Sequence, residues 1–377
     1  MQATEGVNVH VIERDLRNLW EQLAETPQTE GVQPVMRVCV LNLIVYAPDE
    51  HAAEEAKQIM AEVTTQHPSR IFVILPKYEA SESALSAWVT ALCHLSAGGH
   101  KQVCCEQIMI TAGYDALYRL PSLVRPLLVP DLPVVFWWRD VPNFENRLFA
   151  EMAQTSDRVI LDSARFQDAE EGLAGLATRV NQKHQWTAFS DLSWSRLTPW
   201  RVLIAGFFDT PDWRARLRRL TRVEIDCTGA SDSRRSIASE ALLIVCWLAS
   251  RLQWRAKPQS RRRGKDGHQF ELKSDHLSID VEIKSAPSTE GTQGELQTVR
   301  LIADDKSSVQ FGVSKSEDGS YLRAEGEIAG AKLAGRVLPL RTRNEAQLVS
   351  KELEILGRDA MFEQALAFFA TIGTEET

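Results

Sequence analysis

Apolar residues along this chain switch between two spacings, and the switches mark out its elements. Ile12, Leu16, Leu19, Trp20 and Leu23 recur at helical intervals, so the chain opens with an amphipathic helix. Val38 to Tyr46 reads VCVLNLIVY, nearly unbroken apolar sequence, as in a strand buried on both faces. Asp49 can then cap a helix whose stripe is Ala52, Ala56, Ile59, Met60 and Val63. A second apolar run from Ile71 to Leu75 completes a strand–helix–strand unit, which favours a parallel pair. Ala87 to Leu95 and Lys101 to Thr111 predict a hairpin turned at Gly98-Gly99, although the Ala and Leu content of its first arm also permits a helix there.

The same alternation continues with a helix from Asp115 to Leu128, interrupted by Pro121 and Pro126. A strand from Leu132 to Trp138, a helix from Glu145 to Thr155, a strand from Arg158 to Asp162 and a helix from Gln167 to Lys183 follow. Alternating strands and helices predict an α/β domain with a mixed sheet over residues 1–185. Beyond it, Pro199 can open a helix carrying Trp200, Leu203, Ile204, Phe207 and Phe208. A strand from Arg222 to Asp226, a long apolar helix from Ser236 to Trp254 and a run of short alternating strands come next. Asp304-Asp305-Lys306 is one of the turns between those strands, and a closing helix spans Asn344 to Thr371. Strands in succession with flanking helices predict an α+β domain with an antiparallel sheet over residues 186–377.

Composition adds limits. With 377 residues, 44% of them hydrophobic, the chain can bury two cores. Its net charge of -8 argues against a dedicated nucleic-acid binder. The basic segment Lys257, Arg261, Arg262, Arg263, Lys265 has no aromatic interleaved, so it reads as a solvated loop rather than a single-strand groove. No apolar stretch is long enough to span a bilayer, and the first residues lack the basic and apolar regions of a signal peptide. The six cysteines form no CxxC pair. They predict free, buried thiols in a reducing cytoplasm. Adjacent Cys104 and Cys105 would face opposite sides of a strand and could not bond each other.

No catalytic, cofactor or metal signature emerges. Gly264-Lys265 has Gln259 and Asp266 where a phosphate loop needs Gly and Ser or Thr. GxGxxG, GxSxG and HExxH patterns are absent, and the eight histidines show no zinc spacing. One alternative is an enzyme acting on a sugar phosphate. Its anion site would lie at His67, Ser69 and Arg70, with Glu106 as an acid–base group. The competing reading is a rigid turn in which Glu106 partners a buried arginine.

Aromatic residues stand out more. Four of the ten tryptophans fall between Trp186 and Trp213. Two more are adjacent in Phe136-Trp137-Trp138-Arg139-Asp140, at the end of a strand, where α/β proteins commonly meet ligands and partners. Alternation sends Trp137 and Trp138 to opposite faces, so one is expected to be partly exposed or covered by the second domain. Trp and Arg are over-represented at interface hot spots. Trp137, Trp138, Arg139, Trp194, Arg196 and Trp200 are therefore the expected contact, or contact-supporting, residues for a protein partner.

Several long blocks resemble the glucose-6-phosphate dehydrogenase assembly protein family (OpcA). They are CCEQIMI at Cys104 to Ile110, LPSLVRPLLVPDLPVVFWWRDVP at Leu120 to Pro142, RVILDSARF at Arg158 to Phe166 and DLSWSRLTPWR at Asp191 to Arg201. HPSRI at His67 and IERDLRNLWEQL at Ile12 agree too. The resemblance implies a non-catalytic partner of glucose-6-phosphate dehydrogenase, an assembly factor or allosteric activator of the enzyme that opens the oxidative pentose phosphate pathway in bacteria.

Overall fold

The computed structural model describes residues 7–25, 35–78, 83–95, 102–182, 186–209, 211–229, 237–257, 260, 262–263, 267–275, 277–287, 294–303, 309–328, 330–332, 335–340, 344–355 and 357–372. The expected turns at Gly98-Gly99 and Asp304-Asp305-Lys306, and Arg261 and Lys265 of the basic segment, lie outside them. The chain divides into two compact units that interleave in sequence. One comprises Met1–Leu161, Trp186–Ser190 and Asn344–Gly357. The other comprises Asp162–Gln185, Asp191–Arg343 and Arg358–Thr377.

The first half of the chain runs α1 (Val9–Glu25), β1 (Met36–Arg37), β2 (Leu41–Tyr46), α2 (Glu50–Gln66), β3 (Ser69–Pro76), β4 (Leu85–Leu95), β5 (Gln102–Ala112), α3 (Tyr114–Leu117) and α4 (Leu120–Val124). It continues through β6 (Val134–Trp138), α5 (Arg147–Thr155), β7 (Arg158–Leu161), α6 (Ala169–Val180) and β8 (Ala188–Asp191). The strands form one sheet in the order β1-β5-β3-β2-β6-β7-β8, with β4 added on β5. β2–β3, β2–β6, β3–β5 and β6–β7 pair parallel, whereas β4 runs antiparallel on β5. The first arm of the predicted hairpin is thus a strand. Asp49 caps α2 as expected, accepting from the Ala52 N–H at 2.8 Å. Pro121 and Pro126 break the predicted helix after Asp115 into two short helices and a 3-10 turn, because proline removes backbone donors.

The remainder runs α7 (Leu192–Arg196), α8 (Thr198–Phe207), α9 (Pro211–Leu217), β9 (Leu220–Gly229), α10 (Ser239–Leu252), β10 (Arg255–Ala256), β11 (Arg262–Arg263), β12 (Gly267–Lys273), β13 (Ser278–Pro287) and β14 (Leu296–Ala303). β15 (Val309–Lys315), β16 (Tyr321–Ile328), β17 (Ala331–Lys332), β18 (Arg336–Pro339), α11 (Glu345–Leu353) and α12 (Ala360–Ile372) complete it. The second sheet is mixed rather than antiparallel: β13 pairs parallel with β9, and the other registered pairs are antiparallel. The long connection through α10 and β10–β12 lets the chain return in the same direction, as a parallel pair needs. Along these strands apolar residues such as Val223, Ile225, Val281, Ile283, Val299 and Leu301 are buried, while Arg222, Asp280 and Lys284, on the opposite parity, are exposed.

The predicted closing helix is two helices. The chain breaks after α11, and Asp359 accepts from the N–H groups of Met361 and Phe362 to start α12. The first of these helices belongs to the first unit and the second to the other.

Candidate functional site

In the first sheet β2 is flanked by β3 on one side and β6 on the other. That reversal of strand order is the place where open α/β sheets hold their ligands. The two strand ends facing each other there are Tyr46 and Trp138, paired in register. Their rings stack at 3.8 Å with 5° between planes. Phe149 of α5 meets the Trp138 ring edge-on at 5.2 Å, and Tyr78 approaches the Tyr46 hydroxyl at 3.5 Å. Burial, then Tyr78 and Asp140, push the Tyr46 phenol upward from its ordinary pKa. Trp138 Nε1 is buried with no hydrogen-bond partner among the described residues. Helix α2 starts beside this point, and an α-helix N-terminus there would suit a phosphate. Here the chain's own Asp49 fills the cap, Glu50 follows, and Lys77 pairs with Glu50. Carboxylates thus stand where a dinucleotide would bring its pyrophosphate, and like charge disfavours that ligand.

Trp137 and Arg139 face the other side of the sheet. The Arg139 side chain is wholly buried. It donates to Ala52 O, lies 3.2 Å from Glu55 of α2 and 3.2 Å from Glu345 of α11, and sits 4.9 Å from the centre of the Trp137 ring. Both tryptophans are buried within the first unit, at 1% and 4% exposure. The expectation that one is partly exposed or covered by the second domain is corrected: helices of the first unit lie on both faces of the sheet, so alternation buries both rings. Arg158 works in parallel with Arg139. It donates to Ser190 Oγ and to the carbonyls of Ile355 and Gly357, just beyond α11.

At the opposite ends of the strands, Glu106 receives Trp20 Nε1 at 2.5 Å, Arg37 at 2.6 Å and Arg70 at 2.6 Å. Arg70 also donates to Leu127 O, and Ser69 Oγ donates to His67 O. These contacts match the structural reading of the HPSR turn, with Glu106 binding two arginines. Cys93 and Cys104 are bonded to each other, which corrects the expectation of free thiols for that pair. The hairpin register sets Cys93 opposite Cys104, a relationship across strands that adjacent positions in the sequence do not display. Cys39, Cys105, Cys227 and Cys246 are free.

The second unit holds a buried polar junction made from two of the conspicuous sequence blocks. Asp162, directly after β7, accepts from Arg196 at 2.8 and 2.7 Å. Asp191, the N-cap of α7, accepts from the Ser163 N–H and hydroxyl and from the Ser193 N–H, at 2.6 to 3.0 Å. Ser239 Oγ donates to Ser163 O, and Glu240 accepts from the Leu296 N–H. Burial and the neighbouring Asp162 raise the Asp191 carboxyl to about 6, against its hydrogen bonds. Burial raises Glu240 to about 7. Trp194 and Trp200 are buried too, with Trp194 Nε1 donating to Asp359 at 2.7 Å and its ring lying under Arg201 at 3.5 Å. Of the six expected contact residues, Trp137, Trp138 and Arg139 gather in the first unit, and Trp194, Arg196 and Trp200 in the other. Sequence reasoning missed Asp162, Asp191, Arg158 and Glu240. The first three sit in the blocks RVILDS and DLSWSR, where a carboxylate or arginine next to an apolar run was the available signal.

These features define a two-unit α/β protein whose first sheet is doubly wound, with its own aromatic rings and carboxylates gathered where the strand order reverses. Residues 60–178 match the model for the glucose-6-phosphate dehydrogenase subunit N-terminal domain, and residues 187–366 match that for the C-terminal domain. The chain belongs to this family, the OpcA glucose-6-phosphate dehydrogenase assembly family. It is 29% identical over 333 residues to a Synechocystis protein named "Putative OxPP cycle protein OpcA", covering 87% of this chain and 67% of that one. A Nostoc punctiforme protein of the same name is 29% identical, over 84% of this chain and 67% of its own length. Among solved structures, the WlbA dehydrogenase of Thermus thermophilus is 10% identical with a TM-score of 0.44, over 89% of this chain and 95% of that one. A likeness that distant carries no argument about chemistry. Among the described residues no helix is long and apolar enough to cross a membrane.

Proposed function

We propose that this chain is a non-catalytic assembly partner and allosteric activator of glucose-6-phosphate dehydrogenase, working in the cytoplasm in the oxidative pentose phosphate pathway. The observation that carries this reading is the match of both halves of the chain to the two domains of the assembly family. The crevice at Tyr46 and Trp138 supports the non-catalytic part. A dinucleotide bound at this strand reversal would need an open, donor-rich helix N-terminus there, and Asp49 caps that helix with Glu50 in its first turn.

Activation requires that the chain bind the active form of the dehydrogenase more tightly than the inactive one, by about 1–3 kcal/mol of coupling. Trp137, Trp138, Arg139, Trp194, Arg196 and Trp200 take the contact-supporting role in this proposal. The burial of the four tryptophans and Arg139, with the half-buried Arg196 held by Asp162, lets them fix the frame of a docking surface, while shallower residues touch the partner.

The test is to mix the purified chain with its cognate dehydrogenase, then measure complex mass and glucose-6-phosphate kinetics. Co-elution with a raised kcat/KM is expected. No complex and unchanged kinetics would overturn the proposal.

A further inference from the structure

Edge strands are aggregation hazards that proteins blunt with charge, proline, bulges or shortness. The edges of the second sheet follow that rule. β10 and β11 are two residues long and carry Arg255, Arg262 and Arg263; β17 is two residues with Lys332; β18 carries Arg336 and Pro339. At the far edge of the first sheet, β8 is four residues ending in Asp191. The β4 edge has none of those four devices. It is 11 residues long, LSAWVTALCHL, with no charged residue, no proline and no glycine. Its register on β5 runs without a bulge from Leu85↔Ala112 to Leu95↔Gln102. Among the described strands β4 pairs with β5 alone.

The orientation of its free backbone groups follows from the register. The Cys93 and Cys104 Cα atoms are 4.1 Å apart, the close spacing of a non-hydrogen-bonded antiparallel pair. Cys93 therefore aims its N–H and C=O away from β5. So do the residues of the same parity, Leu85, Ala87, Val89, Ala91 and Leu95.

We infer that β4 pairs edge to edge with β4 of a second copy of this chain, antiparallel about a twofold axis at Thr90. The sequence is self-complementary about that residue. Val89 falls opposite Ala91, Trp88 opposite Leu92, Ala87 opposite Cys93, Ser86 opposite His94 and Leu85 opposite Leu95. Apolar meets apolar and polar meets polar at each step, and every pair keeps its face of the sheet, as an isologous contact requires. With no charge anywhere along the strand, two copies of an acidic chain meet without like charges opposed across the ladder. Leu95, 58% exposed in the single chain, gains Leu85 of the copy.

The test uses the full chain by sedimentation velocity over a range of micromolar concentrations. The mass of two chains is expected for the unaltered protein, and that of one chain for Val89→Pro and for Ala91→Lys. Proline at Val89 removes an outward N–H and leaves the β5 ladder whole. Lysine at Ala91 adds the charge the edge lacks. Circular dichroism and thermal midpoint distinguish a folded monomer from an unfolded chain, and Ala91→Lys serves if Val89→Pro fails to fold. Amide exchange at Val89 and Ala91 gives a second readout, with protection expected to rise with concentration. A single-chain mass for the unaltered protein across the range, a dimer that persists in folded Ala91→Lys, or concentration-independent exchange at those amides would each overturn the inference.

Discussion

Arg139 and Glu345 lie 3.2 Å apart across 206 residues of sequence. The contact ties the end of a central strand to a helix formed from the last tenth of the chain, and it explains why an arginine can be wholly buried after two tryptophans. The guanidinium reads as part of an aromatic interface in sequence. In the fold it is the clamp that seats α11.

Removing that clamp exposes its importance. Arg139→Leu takes away the guanidinium that lies 3.2 Å from both Glu345 and the half-buried Glu55, and breaking a buried pair typically costs about 3–5 kcal/mol. Chemical denaturation should show a loss near the lower end of that range, since Glu55 keeps solvent access. Hydrogen exchange should show the amides of α11 opening more readily than those of β2 and β3. A loss under about 1 kcal/mol would contradict the clamp.

Asp162 and Arg196 should be strongly coupled. Arg196→Leu strips Asp162 of both its guanidinium bonds and leaves it beside Asp191, which is entirely buried. A double-mutant cycle with Asp162→Asn is expected to return about 1–3 kcal/mol of interaction. Near-additive single mutants would mean that the bidentate pair is spectator geometry.

Glu240 should make stability fall as pH rises. Its folded pKa is raised from 4.5 to about 7, so between those values the folded state holds a proton that the unfolded state has released. Stability is then fully present below about 4.5 and is lost as pH climbs toward 7. The full effect is about 3 kcal/mol from the size of the shift. Glu240→Gln keeps an acceptor for the Leu296 N–H and removes the titration. Urea unfolding of the variant should therefore show a shallower decline between pH 5 and pH 7 than the unaltered chain, and parallel curves would refute the assignment.

Asp49→Ala should cost about 1 kcal/mol through loss of the α2 cap. A thermal midpoint that does not move would show that the Ala52 N–H finds water instead.

Much of the first sheet was legible because long apolar runs separated by 3.6-period stripes have few other solutions. β2, α2, β3, β6 and β7 follow that rule, and Asp49 and Pro199 mark helix starts through local chemistry alone. What escaped depends on distance along the chain. The parallel β9–β13 pair, the division of the predicted closing helix between two units and the bond between Cys93 and Cys104 are all set by which segments return beside one another. The place of Asp162 and Asp191 beside Arg196 escaped for the same reason: each carboxylate looks like an ordinary cap or surface charge until the strands β7 and β8 end side by side. The aromatic run was conspicuous in sequence, but conspicuous rings belong as readily to a core as to a surface.

The return of α11 has a consequence for how the protein comes into being. A ribosome releases the chain from its N-terminus, and early segments ordinarily fold as they emerge. Arg139 and Arg158 leave the tunnel about two hundred residues before Glu345 and the carbonyls of Ile355 and Gly357 that complete their bonds, at a synthesis rate of about 5–20 residues per second. For roughly 10–40 s, therefore, two arginines of the nascent first unit wait for the last of their partners. The nascent first unit completes its interior only after nearly all of the second has been made.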